Sequence, residues 1–581
     1  MEDWRPQVKV LPSLSIIALN FAVILPAHSL TMDLVGRYQT GVYGEAGAEI
    51  IDYHHNTQSA YVVDGAKNRI DIISLSNLPT QPIKNPHTAN TLSAKHLNLP
   101  TQVTVAGGQK LQLATANSLS IFGDWLAVAV QNAQKQQNGA VLFYKITDDQ
   151  PQLIKAVQVG ALPDMVTFTP DGKKVLVANE GEPTADYKYD PVGSVGVINI
   201  KNGMPEDNSI LLMFDKFESQ KAELMKQGFK YASPQGHTLA QDIEPEYITV
   251  SQDSQSAWVS LQENNALAQV DLNNNTIIAI HPLGLKHYGK ADNAIDASDK
   301  DKKINIKAWE GVYGLYQPDT IDSYSVNGKH YTVTANEGDS RDWWFSAKDE
   351  TSCLQAGGTK FDDEDGCLSY SEEVRAGKLT LAANHPQRGH LGKEELGRLK
   401  VTKVMGDEDG DGKYEKLISF GARSFSIWDD KGQQVFDSGN QFAKTIAKRY
   451  PNGFNTDESE NKFDSRSDDK GVEPEALTVG SIEGKTYAFI GLERMGGIMV
   501  YDISDPKKSS FVDYFLNRDL SVDFEINDST DPVTLKGDYM KAGDLAPEGM
   551  RFVAAKDSPI HKPLLLVASE VSGTVSVYQL R

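Results

Sequence analysis

One short phrase recurs along this chain: a small residue or proline, an acid, and then the start of a strand. The copies are Ala48-Glu49-Ile50-Ile51, Pro163-Asp164-Met165-Val166, Pro245-Glu246-Tyr247-Ile248, Pro318-Asp319-Thr320-Ile321, Pro474-Glu475-Ala476-Leu477 and Pro547-Glu548-Gly549-Met550. Each leads to a second strand, such as Ala257 to Leu261 or Tyr487 to Leu492, and most lead to a third, such as Gly497 to Asp502. A weaker copy without the acid begins near Asn117 and continues through Trp125 to Val130 and Val141 to Ile146. That makes about seven units of one supersecondary pattern, which predicts an all-β chain closed into a seven-bladed β-propeller.

A chain of 581 residues would suggest several domains by length alone. The repeat overrides that prior, because blades close into one ring. Short alternating runs bounded by Gly, Asn, Asp and Pro dominate over helical periodicity. Lys and Arg number 57 against 79 Asp and Glu, a net charge of −22. Such a surface repels nucleic acid and anionic lipid and attracts divalent cations, although acidic charge also serves plain solubility.

Arg5 and Lys9 precede an apolar run from Leu14 through Leu25, and Ala27-His28-Ser29 offers a small-residue cleavage site. Residues 1–29 are therefore expected to be a signal peptide, a membrane anchor being the alternative. Residues 30–581 are expected to form the propeller, exported to the periplasm or secreted, with no stable span after cleavage and acting as a monomer. Cys353 and Cys367 bracket an acidic, Gly-rich stretch without strand pattern. In an exported protein this pair reads as a local disulfide, against two unpaired thiols.

Leu34 to Tyr38 is a lone strand before the first unit, and Gly573 to Leu580 is a strand at the other end. Mixing both in one blade closes the ring and removes two exposed edges. Uneven spacing of the units implies insertions near 206–241, 286–309, 346–400 and 440–470. Short helices are expected over Phe217 to Gln227 and Phe442 to Arg449; the 286–309 segment reads as loop. Long loops on a rigid ring are the usual carriers of function, although they also occur as inert decoration.

Three constellations could carry chemistry. Asp407-Glu408-Asp409-Gly410-Asp411-Gly412 has the alternating carboxylates and sharp-turn glycine of a calcium loop, with Glu415 placed as a further ligand. Ile418 stands where an EF-hand would carry its bidentate Glu, so the motif reads as a calcium-pinned hairpin or a solvated turn. The repeated acids Glu49, Asp164, Glu246, Asp319, Glu475 and Glu548 would form a ring near the channel mouth. They would either gather cations or, in a structural role, accept backbone N–H groups at each innermost strand. Polar turns follow the second strands: Asn179 to Glu182, Asn336 to Asp342, Glu493 to Gly497 and Glu570 to Gly573. Those with Asp339, Arg341, Glu493 and Arg494 mix carboxylate with guanidinium, as a metal-held phosphoester site requires and as interblade salt bridges also do. No Gly-x-Ser-x-Gly elbow, Walker loop or His-Glu-x-x-His helix is present, and the 12 histidines are scattered.

With these residues in view, the chain resembles the choice-of-anchor I family of exported bacterial propellers, itself similar to mesenchyme-specific cell-surface glycoproteins of echinoderms. The matching phrases occur in order: Gly44 to Ile51, Leu162 to Pro183, Glu244 to Asp271, and Tyr316 to Asp319 running on to Thr334 to Arg341. They continue with Gly406 to Tyr414, Gly421-Ala422-Arg423 to Asp429, Val472 to Pro506 and Leu545 to Gln579. Family members often end in a surface anchor, whereas Gly573 to Leu580 reads as a closing strand. Members often carry an alkaline phosphatase label, and the echinoderm relatives are linked to biomineral. The chain lacks the Asp-Ser-Ala nucleophile and His-rich zinc sites of the well-known phosphatase fold. The resemblance therefore implies a different route, calcium-dependent attack by metal-activated water as in propeller phytases, with Arg341, Arg423 or Arg494 clamping phosphate. The other function class is a non-catalytic binding propeller of the envelope or matrix. Four or more carboxylates converging on one open face beside a guanidinium would favour the enzyme, and carboxylates each set singly against backbone would favour the binder.

Overall fold

The computed structural model describes Met1, residues 30–363 and residues 365–581. The expected export segment falls on residues 2–29 and lies outside them. Among the described residues, no helix is long and apolar enough to cross a membrane.

The fold is a β-propeller. Seven antiparallel sheets each carry four strands in simple radial order, two of them with one short added strand. Their innermost strands are Ile51–His54, the second half of Lys110–Phe122, Pro163–Phe168, Ile248–Val250, Ile321–Val326, Pro474–Ile482 and Pro547–Val553, and each neighbours the next around an axis. A separate hydrophobic cluster fills every interface between successive sheets. Val195 and Leu212 meet Ala257 and Val270 between the third and fourth, for example, and Phe489 meets Leu565 between the sixth and seventh. Stacked blades thus bury both sheet faces, which is why the strands read as near-continuous apolar runs such as Val175 to Ala178.

The two lone strands share the last sheet. Met32–Gln39 pairs with Thr574–Leu580, Leu34 lying opposite Tyr578 and Tyr38 opposite Val575. Arg37, 1 % exposed, donates to Asp544 Oδ1 at 2.7 Å and helps hold the closing strand. Inner strands are also clasped across blades by side chains that replace ladder partners. Asp52 Oδ2 accepts the Ile121 N–H at 2.7 Å, and Asp322 Oδ2 accepts the Val479 N–H at 2.8 Å. The carboxylates that accept backbone N–H groups along these inner strands are therefore Asp52 and Asp322, three residues beyond the repeated acids Glu49 and Asp319.

The insertions are more ordered than the sequence reading allowed. The 286–309 segment, expected as loop, begins with Leu285–His287, which pairs with Val312–Leu315 in a satellite five-stranded sheet. Val312–Leu315 also runs parallel to Leu417–Ser419, so a sheet built from two insertions lies beside the ring. The cysteine loop contains a strand, Lys360–Asp362, that its Gly- and Asp-rich composition hid; it joins Asp342–Phe345 and Gly366–Ser371 in a three-stranded sheet. Cys353 and Cys367 are disulfide-bonded and tie the helix Glu350–Ala356 to that sheet. The helices near 217–227 and 442–449 are present, the first as a 3-10 turn Asp215–Gln220 running into Lys221–Lys226, the second as Gln441–Arg449. The hairpin Phe524–Asn527 with Thr534–Gly537 is an insertion that spacing did not reveal.

Candidate metal centre

The acids converge because the backbone entering each inner strand is bent in the same way. The residues before the proline, Leu162, Gln317, Glu473 and Ala546, all lie in the left-handed region, at φ 46°, 45°, 49° and 56°. A non-glycine residue pays about 1–2 kcal/mol for that conformation, and four blades bear the cost at the equivalent place. Proline then fixes the next φ, and the acid follows at the axial end of the strand. Hairpin register adds a second acid from the neighbouring strand. Pro163 pairs with Asn179, Pro474 with Leu492 and Pro547 with Ser569, so Glu180, Glu493 and Glu570 follow next to Asp164, Glu475 and Glu548.

The result is an open cavity of about 300 Å³ at the channel mouth, lined by all six repeated acids together with Glu180, Glu182 and Lys135. Glu49 Oε2, Glu475 Oε2 and Glu548 Oε2 are buried without a hydrogen-bond partner. Burial first, and then the neighbouring carboxylates, push Glu49 up to about 9 and Glu548 to about 8. Asp164 rises to about 7 for the same reasons, and Glu246, Asp319 and Glu475 are raised well above the carboxylate range. Like charges this close disfavour ionisation unless a cation joins them. Two trios have ligand oxygens within 4.8 Å of one another around this mouth: Asp164, Glu180 and Glu246, and Asp319, Glu337 and Glu475. Hard oxygen ligands in threes suit calcium or another hard divalent cation.

A third trio, Glu337, Glu473 and Glu493, already has protein cations. Lys470 bridges Glu337 and Glu473, the latter at 2.9 Å. Arg494 reaches Glu473 at 2.9 Å and Glu493 at 3.2 Å, and Arg466 reaches Glu473 at 2.6 Å. On the other side of the mouth, Lys135 is paired with Glu182.

The remaining residues singled out by sequence are spread over several environments. Asp339 is exposed, and its carbonyl accepts from Gln317 Nε2 at 2.5 Å. Arg341 is 2 % exposed, with Nη1 on Glu244 at 2.5 Å and Nη2 on the Asp242 carbonyl at 2.6 Å. It fixes the insertion to the ring and does not present a clamp to solvent. Arg423 is enclosed likewise, donating to the carbonyls of Asp296 at 2.7 Å and Ser467 at 3.0 Å. Only Arg494 of the three arginines keeps a partly exposed guanidinium. The Asp407 loop lies in the insertion between Lys400–Thr402 and Leu417–Ser419. Asp407, Asp409 and Glu415 come together there, whereas Asp411 turns to Lys413 at 2.5 Å. Sequence reasoning passed over Lys135, Lys470 and Glu473; hairpin register, counted from each repeated acid to the end of the second strand, would have drawn attention to this neighbourhood.

A propeller whose repeated acids open into one carboxylate-lined mouth defines the class. The chain belongs to the choice-of-anchor I domain family, whose model matches residues 49–506. It is 31 % identical over 313 residues to the mesenchyme-specific cell surface glycoprotein of Strongylocentrotus purpuratus, covering 51 % of this chain and 39 % of that protein. It is 29 % identical over 192 residues to Gigasin-3a of Magallana gigas, covering 32 % of this chain and 65 % of that one. The chain thus spans less than two thirds of either relative. Among solved structures, the hydrazine synthase of Kuenenia stuttgartiensis aligns with a TM-score of 0.41 at 10 % identity, over 92 % of this chain and 96 % of that one.

Proposed function

We propose that this protein is an exported, calcium-dependent phosphoesterase whose metal sits at the propeller mouth. The observation that carries the reading is the convergence of unpartnered, buried carboxylate oxygens on one open cavity, with Arg494 and Lys470 on its flank. Asp164, Glu180 and Glu246 would hold the ion, whereas the trio of Asp319, Glu337 and Glu475 already shares Glu337 with Lys470. Bound there, calcium would polarise a phosphoryl oxygen and lower the pKa of a water. The chain's own part is to fix the carboxylates on rigid strand ends and to set Arg494, held by Glu458, Glu473 and Glu493 and still partly exposed, where a phosphoester's negative charge could compete for it. The acids themselves repel a phosphoester until cations offset them, so the metal-free mouth should not bind substrate. Asp407, Asp409 and Glu415 would hold a separate, structural calcium that orders their hairpin.

A second reading has its own support. One similar protein is a cell surface glycoprotein, and calcium held at an acidic face can bridge to an anionic matrix component without hydrolysis. One experiment separates the two. The purified protein is assayed on p-nitrophenyl phosphate and phytate with calcium and with chelator, beside calorimetry of calcium binding. Calcium-dependent turnover abolished in Asp164→Asn supports the esterase. Calcium binding without turnover leaves the binder, and no calcium binding refutes both.

A further inference from the structure

A second cavity lies away from the mouth, between the strand Leu285–His287, the end of the strand Gln434–Asp437 and the start of the helix Gln441–Arg449. Its volume is about 540 Å³, within the range of small-molecule sites. In a chain of net charge −22 its wall is unusually cationic, with Lys286 inside and Lys290 and Lys444 at the exposed rim. Lys286 is already used, by Asp437 Oδ1 at 2.9 Å and the carbonyls of Ala422 and Gly439 at 2.9 and 3.0 Å. Among the described residues, no carboxylate forms an ion pair with Lys290 or Lys444; Asp292 is the remaining acid of the wall. The nine-residue helix opens onto this space without a side-chain cap, because Asn440 gives its Nδ2 to the Ala291 carbonyl at 3.0 Å. An uncapped helix start and two unpaired ammonium groups both favour an anion.

A smaller recess lies against the same residues. Its volume is about 10 Å³; it shares Lys286, Asn293, Gly439 and Asn440 with the cavity, and has room for about one water-sized group. Arg423 and Asn455 line that recess, 7 % and 2 % exposed, and Arg423 Nε and Asn455 Oδ1 have no partner. The amide orientation is set by its neighbours. Ser467 Oγ donates to Asp464 Oδ1 at 2.5 Å, so it accepts from Asn455 Nδ2 at 2.7 Å, which leaves Oδ1 as the free acceptor. One buried donor and one buried acceptor left over on two residues that line one recess match a hydroxyl, which both accepts and donates. A group left unpaired at such depth costs free energy that a ligand or a trapped water recovers.

We infer that this cavity is a second ligand site, for a small hydroxylated anion: its anionic group at Lys290, Lys444 and the helix start, one hydroxyl in the recess between Arg423 and Asn455. A sugar acid and a sugar phosphate share this chemistry. The test is calorimetry on the full chain in metal-free buffer, so that the mouth cannot capture phosphate through calcium. The probes are D-gluconate, glucose 6-phosphate, glucose and inorganic phosphate. Gluconate or glucose 6-phosphate should bind at least about tenfold more tightly than glucose or inorganic phosphate, and whichever of the two wins identifies the source. Lys290→Ala with Lys444→Ala, both exposed, should weaken binding at least about tenfold without lowering the melting temperature. Ala443→Leu, which fills the recess from the helix, should remove the advantage of the hydroxylated probes over inorganic phosphate. No binding of any probe up to about 10 mM, unchanged affinity in the double lysine variant, or an unchanged hydroxyl preference in Ala443→Leu would overturn the assignment.

Discussion

The two sides of the propeller mouth handle the same problem in opposite ways. Around Glu337, Glu473 and Glu493 the chain supplies its own cations, Lys470, Arg494 and Arg466. Around Asp164, Glu180 and Glu246 the one lysine of the lining, Lys135, is taken by Glu182. The trios have similar carboxylate spacing, so geometry alone does not separate a metal site from a salt-bridge network. Countercharge does. A trio neutralised by arginine and lysine has no electrostatic reason to take an ion, whereas one without its own cation does.

This contrast can be broken most severely at Lys470. Lys470→Met leaves Glu337 and Glu473 short of a cation in a largely buried setting and should cost about 3 kcal/mol, read by urea denaturation. Calcium should return part of that loss, because the trio would then resemble its counterpart; a loss indifferent to calcium would deny that the two trios are equivalent. Next in size is the other side. Glu246→Gln should weaken calcium binding at the mouth at least about a hundredfold by calorimetry, with little change in metal-free stability, since Gln resembles the protonated side chain that the metal-free mouth favours.

A smaller effect concerns pH. Glu49 is raised from 4.5 to about 9, by burial and then by Glu548. The folded state therefore holds a proton that the unfolded chain releases above pH 4.5. Between there and about pH 9 stability falls as pH rises, by up to about 1.4 kcal/mol per unit from this group. Glu49→Gln should flatten that slope in denaturation series run without metal, and an identical slope would place the titration elsewhere. Smallest is the insertion loop, where Asp409→Ala should remove a few degrees of calcium-dependent melting temperature and leave binding at the mouth unchanged.

The repeat made the ring legible because period and fold coincide: each copy of the phrase is one inner strand. The acids were legible as a set for the same reason. Their role was not, since Glu49 and Asp52 are both acids near an inner strand, and only the three-residue offset decides which faces the axis and which accepts a neighbour's N–H. Arg341 and Arg423 misled because a guanidinium in a polar turn looks the same in sequence whether it points to solvent or to carbonyls. Lys360 to Asp362 and Leu285 to His287 were missed because strands this short carry no readable alternation, and their partners are distant in sequence.

Ring closure also sets the order of events during folding. Among the described residues, Met32–Gln39 finds its ladder partner in Thr574–Leu580. Loop closure over such a separation is among the slowest contacts a chain can make. Met32–Gln39 must therefore wait, with one ladder edge unpaired, until Thr574–Leu580 arrives. Blades in between can assemble pairwise through their own hydrophobic clusters while the ring is still an open arc. A nascent chain halted before Thr574 should thus hold a stacked but unsealed array, protease-sensitive at Met32–Gln39 and dependent on a holding chaperone until Thr574–Leu580 is made.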